Sequence, residues 1–199
     1  GKLVSNYLDK NYERKCLNKT DIENCFTKLG NEDEFIIGYF RNRKLNGLGY
    51  IKQGKINKIG FFVDNELINN ALIFSDKNNI FYGRTKSNFP NGLGIQYSNQ
   101  QLISTSIGNF DIEGLTGIGV TFKEKIIGKK IKNLFSYYGN WKSSKADGVG
   151  LSVDEKGNIY YGKWLNDIPN DYGYYITKKE KYVGEMNNGD ISGIGLLYS

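Results

Sequence analysis

The spacing of glycines constrains this chain more than any other feature. In the stretch YYGNWKSSKADGVG, Gly139 is followed by a glycine nine residues on and another eleven residues on, and the same spacing recurs from Gly38, Gly60, Gly83, Gly108, Gly162 and Gly184. The intervals between these anchors are 22, 23, 25, 31, 23 and 22 residues, which is the signature of a repeat array. At plus nine stand Gly47, Asn69, Gly92, Gly117, Gly148, Asp171 and Gly193. The two exceptions are residue types that tolerate positive φ, so the position reads as a left-handed backbone site. At plus eleven stand Gly49, Ala71, Gly94, Gly119, Gly150, Gly173 and Gly195, where the exception is the next smallest side chain. Small size is the requirement there, as though something packs on the bare backbone.

The residues around these glycines alternate with period two, which specifies strands. Apolar residues fill plus ten and plus twelve in most units, as in Leu93 and Ile95 or Val149 and Leu151. Aromatic or apolar residues also flank the anchor at minus two and plus two, as in Tyr137 and Trp141, Tyr160 and Trp164, or Tyr182 and Met186. Polar segments such as KSSKAD separate the two strands of a unit. Each unit is therefore a β-hairpin, and seven of them make an all-β antiparallel meander of fourteen strands in a single sheet. A lone hairpin is marginal in water, so each must bury its apolar face against its neighbours. The expectation is that anchor glycines make room for rings of adjacent hairpins to lie across the backbone.

Runs such as YYGNWKSSKADGVGLSV, YYGKWLNDIPNDYGYYI and YVGEMNNGDISGIGLLY resemble MORN repeats, with an aromatic, a glycine two later, an aromatic two after that, and then Gly-x-Gly. The resemblance covers residues 35–199. It implies an elongated single-sheet meander with a groove along one face, and a role in scaffolding, protein binding or membrane-lipid contact rather than catalysis. The second unit departs most, with Lys58, Asn69 and Ala71 at signature positions, which predicts local irregularity around residues 54–76. Residues 1–34 read as an N-terminal capping segment, with a short helix within residues 3–25 started by Thr20-Asp21-Ile22-Glu23. The segment KCLNKTDIENCFTKL resembles the cysteine-containing stretch before the repeats of secreted or periplasmic bacterial members. That resemblance implies a Cys16–Cys25 disulfide and a secreted or periplasmic location; two buried free thiols in a cytoplasmic, membrane-associated protein is the alternative.

Histidine is absent, which removes the commonest general base and transition-metal ligand. The Gly-x-Gly pairs lie in strand patterns rather than before a helix, so they are not phosphate loops. No enzyme activity, metal or cofactor is expected. The net charge of +6 favours anionic surfaces without the density of a nucleic-acid binder, so no nucleic-acid partner is expected.

Two surfaces are candidates for binding. A single-layer sheet leaves an aromatic face uncovered, and the rings of Tyr137, Trp141, Tyr160, Trp164 and Tyr182 are the predicted groove for a protein segment. In the long interval, Lys123, Lys125, Lys129, Lys130 and Lys132 interleave with Ile126, Ile127, Ile131 and Leu134, a hairpin suited to anionic lipid. Packing alone for the rings, and solubility alone for the lysines, are the structural alternatives. Finally, GIGLLYS carries neither proline nor charge to discourage edge pairing, which predicts a two-fold homodimer through the C-terminal repeats. A chain that continues past Ser199, or Tyr198 folding across the edge, would remove that requirement.

Overall fold

The structure, a computed structural model, describes residues 24–75 and 78–199. The strands are β1 (Cys25–Gly30), β2 (Glu34–Arg41), β3 (Lys44–Gln53), β4 (Ile56–Val63), β5 (Glu66–Ser75), β6 (Asn79–Lys86), β7 (Phe89–Asn99), β8 (Ile103–Asp111), β9 (Gly114–Ile127), β10 (Lys130–Lys142), β11 (Lys145–Asp154), β12 (Ile159–Leu165), β13 (Ile168–Ile176), β14 (Lys181–Asn187) and β15 (Asp190–Tyr198). They form one open antiparallel sheet in chain order, and the described residues contain no helix. The seven expected hairpins are β2–β3 through β14–β15. The fifteenth strand, β1, lies inside the segment read as a cap and pairs along β2 from Cys25 opposite Phe40 to Gly30 opposite Phe35. The predicted helix and the Cys16–Cys25 pairing depend on residues outside the described ones; Cys25 itself is buried.

All seven plus-nine residues have positive φ, including Asn69 at 60° and Asp171 at 68°. The second unit is as regular as the others, contrary to expectation, because asparagine supplies the left-handed conformation that glycine supplies elsewhere. At its ring position, Lys58 reaches over the Phe89 ring, 5.8 Å from the centroid, so its aliphatic stem partly replaces an aromatic.

Register explains the glycines at zero and plus eleven. They sit directly opposite one another across the sheet: Gly38–Gly49–Gly60 in one run, and Gly94–Gly108–Gly119–Gly139–Gly150–Gly162–Gly173–Gly184–Gly195 in another. Just past the anchor the register shifts: Gly139 faces Gly150, but Trp141 faces Ala146, so two residues on β10 match four on β11. The same bulge follows the anchor in β2–β3, β4–β5, β8–β9, β12–β13 and β14–β15.

The rings fill the space over these glycines, but from the same hairpin rather than an adjacent one. A Cβ on Gly150 would fall within the Tyr137 ring, one on Gly173 within Tyr160, and one on Gly195 within Tyr182. Each of these tyrosines then donates its hydroxyl to the carbonyl of the residue skipped by the bulge: Tyr137 to Asn140 at 3.1 Å, Tyr160 to Lys163 at 3.0 Å and Tyr182 to Glu185 at 2.9 Å. In these three hairpins tyrosine does what phenylalanine could not, since a phenylalanine ring would leave the carbonyl without this donor. Where the ring is missing, as at Gly49 and Gly119, Leu45 and Leu115 cover the glycine instead.

A second device links consecutive hairpins. Leu45 N–H donates to Asn65 Oδ1 at 2.7 Å while Asn65 N–H donates to the Leu45 carbonyl at 3.0 Å. Leu67 and Asn88, Leu115 and Ser144, and Ala146 and Asp167 repeat the reciprocal pair. Proline at the clamped position has no N–H to give, and its partner there, Gly189, has no side-chain acceptor; only Gly189 N–H to the Pro169 carbonyl remains, at 2.9 Å. The clamping residue occupies the second corner of a two-residue turn with positive φ at both corners, as in Asp64-Asn65 and Asn166-Asp167, which suits Asn, Asp and Gly.

The chain divides into two units, residues 1–90 and 91–199. In the first, Phe40, Leu45, Ile51, Phe62, Leu67 and Ala71 form the core. In the second, Phe110, Leu115, Tyr137, Trp141, Ala146, Tyr160, Trp164, Tyr182 and Met186 are buried.

Candidate functional site

The five rings predicted to form an open groove are buried in the second unit, each at most 9% exposed. Four of them pack edge to face in a continuous series: Trp141 on Tyr137 with centroids 4.8 Å apart, Tyr137 on Trp164 at 5.0 Å, and Trp164 on Tyr160 at 5.3 Å. Tyr182 lies over Gly195, one hairpin further on. Burial against nearby carboxylates pushes two phenols up: burial, then Asp147 and Asp167, takes Tyr137 to about 12, and burial with Asp171 takes Tyr160 to about 12. The rings hold the hairpins together because the glycines let them lie flat on the sheet. They are not an open platform.

They do form one wall of a cleft. On this inner face the ring row stops at β8, where Ser106 stands in place of the aromatic. The resulting cleft, about 480 Å³, is lined on one side by Phe135, Tyr137, Trp141 and Trp164 and on the other by polar residues of β7, β8 and β9.

The opposite, outer face carries the exposed apolar surface. The residues before the anchor and at plus twelve face one another in the cross-strand row Ile95–Ile107–Val120–Tyr138–Leu151–Tyr161–Tyr174–Val183–Leu196, one from each strand of β7 through β15. All nine are apolar or aromatic, and all but Val120 and Tyr174 are exposed. Beside the row, Leu93, Ile118, Val149, Tyr172 and Ile194 are also exposed, and alternate with polar Asn109, Asn140, Lys163 and Glu185. Tyr161, Tyr172, Tyr174, Val183, Ile194 and Leu196 line a shallow trough there. The plus-ten and plus-twelve residues therefore point away from the ring-covered face of the glycines, because the zero-to-eleven register puts the rings and the plus-twelve positions on opposite faces.

The lysine-rich interval is a hairpin that outruns its neighbours. Pairing of β8 with β9 ends at Ile103 opposite Glu124, and pairing of β10 with β11 ends at Phe135 opposite Asp154. Beyond these points Lys125 faces Lys132, and Ile126 faces Ile131 on the other surface of the ribbon. Ile126, Ile127 and Ile131 are more than half exposed. Lys132 pairs with Glu155 at 3.1 Å, and Lys123 lies 5.7 Å from the Phe135 centroid on the cleft side. Among the described residues Lys125, Lys129 and Lys130 make no ion pair, and no group of carboxylates, cysteines or histidines could hold a metal.

A scan against protein-family models finds no match, and a search of curated proteins finds no similar sequence.

Proposed function

We propose that this protein is a non-enzymatic binding or scaffold module that seats an apolar segment of a partner protein on the outer face of β7–β15. The observation that carries this reading is the unbroken cross-strand row of apolar side chains from Ile95 to Leu196. A sheet that is apolar on a face normally buries that face under a second layer, and exposed apolar surface of this continuity marks an interaction site. Strands are about 4.8 Å apart, close to the 5.4 Å pitch of a helix, so an amphipathic helix laid along the row would meet one side chain per turn. The resemblance to MORN repeats supports the same class of role. A bridge between Cys16 and Cys25, with a secreted or periplasmic location, accompanies it. The test is capture of a partner from native extract by the wild type and by a Leu151→Lys, Val183→Lys double variant: retention resistant to salt, lost in the variant at unchanged melting temperature, supports the reading. Equal capture by both rejects it.

A second reading rests on the projecting hairpin. Its lysines, each worth about 1 kcal/mol beside an anionic surface, and the exposed Ile126, Ile127 and Ile131 suit a peripheral membrane contact. Cosedimentation with phosphatidylserine vesicles that falls as ionic strength rises, and fails after Lys125, Lys129 and Lys130 are changed to Gln, would favour it.

A further inference from the structure

The inner-face cleft has a composition that packing does not explain. Gln96, Ser106 and Thr121 face one another across β7, β8 and β9, and in the next row Ser104 faces Lys123. Equivalent positions in other units hold Ile51, Phe81, Tyr137 and Tyr160, which are buried in the core, and Ile73 and Tyr175, which are half-buried; Lys58 and Ser152 are isolated polar exceptions. A patch of hydrogen-bonding side chains has thus replaced a patch of core on three adjacent strands.

Only part of this patch is satisfied from within. The hydroxyls of Ser106 and Thr121 bond each other at 2.8 Å. Among the described residues the Gln96 amide, the Ser104 hydroxyl and the Lys123 ammonium have no hydrogen-bond or ion-pair partner, and Lys123 has only the Phe135 ring nearby. On the facing wall the Trp141 indole N–H is buried without an acceptor, whereas the same group of Trp164 donates to the Gly150 carbonyl at 3.3 Å. The unpaired donors outnumber the acceptors. The one acid of the lining, Asp167, is held at the turn end, where its Oδ1 accepts from Ala146 N–H at 2.7 Å, eight residues along β11 from the Asp154 that flanks Phe135 and Lys123 in register. Counted along β10, which the bulge does not lengthen, six residues separate Phe135, opposite Lys123, from Trp141, opposite Ala146, so at about 3.3 Å per residue roughly 20 Å of strand lies between Lys123 and the Asp167 end, while the Asp154 carboxylate is taken up by Lys156 N–H, Asn158 N–H and the Asn158 amide.

We infer that this cleft binds a carboxylate carried on an apolar body, with the carboxylate against Lys123 and the hydroxyl and amide of Ser104 and Gln96, and the body along the ring wall. A volume near 480 Å³ lies in the range of small-ligand sites. The carboxylate comes from a free organic acid or from a peptide terminus, which present the same chemistry. The site is on the opposite face from the apolar row and stands without it.

Both tryptophans of the chain line the cleft, so intrinsic fluorescence reports its occupancy. Titrations use 3-phenylpropanoate, 3-phenylpropanamide, and a tetrapeptide ending in phenylalanine with a free or an amidated C-terminus. Each acid should give a saturable change and bind about tenfold more tightly than its amide, as expected for a charge-assisted contact. Lys123→Gln should abolish that preference without moving the melting temperature, and Lys179→Gln, which removes an equal charge elsewhere, should keep it. A tetrapeptide acid that outbinds phenylpropanoate identifies a peptide terminus as the ligand; the reverse identifies a free acid. No fluorescence response to either acid at millimolar concentrations, equal affinity for acid and amide, or a preference that survives Lys123→Gln overturns the inference.

Discussion

Gly150→Ala should be among the most damaging single-methyl additions to this chain. The new Cβ would overlap the hydroxyl end of the Tyr137 ring, and Tyr137 is 1% exposed and held between the Asn140 carbonyl and two tryptophan rings. Overpacking of a tight core costs about 1–3 kcal/mol. A displaced ring also gives up the bond to the Asn140 carbonyl, worth about 1 kcal/mol, and weakens edge-to-face contacts with Trp141 and Trp164, worth about 0.5–1.5 kcal/mol each. These losses overlap, so a total of about 3 kcal/mol is expected. For a chain of this length that lowers the melting temperature by about 6–12 °C. The decisive arm is the double-mutant cycle with Tyr137→Leu, read by thermal and denaturant melts. Tyr137→Leu is costly on its own, but in its background Gly150→Ala should cost less than about 1 kcal/mol, a coupling of about 2 kcal/mol. Additive effects within about 0.5 kcal/mol would refute the claim that the ring is what requires the glycine.

Four further outcomes are expected. Asp167→Ala should destabilise by about 1–2 kcal/mol by leaving Ala146 N–H unpaired, while Asp167→Asn should be nearly neutral in denaturant melts, since Asn65 and Asn88 make the same clamp. Burial alone would raise the Asp154 carboxyl, but donation from Asn158 and Lys156 outweighs it and holds the group below the ordinary carboxylate range. Its contribution is therefore present above that range and lost as pH falls through the depressed value, and Asp154→Asn should flatten the acid limb of a stability–pH curve. For Tyr137 and Tyr160 the sign is opposite: stability is intact below a phenol pKa near 10 and is lost as pH rises through about 12, so absorbance titration should show their phenolates forming last and together with unfolding. If Cys16 and Cys25 are bridged, non-reduced intact mass should be about 2 Da below the reduced value and reduction should cost about 2–3 kcal/mol; two rapidly alkylated thiols would exclude the bridge.

The repeat itself was legible because each glycine answers a local backbone demand. Asn69 and Asp171 could be assigned left-handed φ without coordinates, since few residue types other than glycine accept it. The faces were not legible. Tyr137 and Tyr138, or Tyr160 and Tyr161, are adjacent aromatics on opposite surfaces, so both surfaces read as apolar and alternation cannot say which is buried. Register decides it, and register depends on the bulge after the anchor, where two residues match four. The signal that could have assigned the inner face is the presence of tyrosine, rather than phenylalanine, two residues before Gly139, Gly162 and Gly184, since its hydroxyl serves the bulge carbonyl. The cleft was equally hidden: Gln96, Ser106 and Thr121 are unremarkable singly, and only cross-strand pairing assembles them.

The outer face is exposed, and under the proposed function it is the surface that a partner covers. Hydroxyl-radical footprinting with mass spectrometry reads this residue by residue. In the free protein Tyr138, Tyr161 and Tyr172, each more than half exposed, should oxidise readily, while Tyr137, Tyr160 and Tyr182, each at most 4% exposed, should not. In the complex captured from native extract, the same three outer tyrosines should become protected. Oxidation of the inner tyrosines in the free protein, or protection confined to residues 123–132 in the complex, would contradict it.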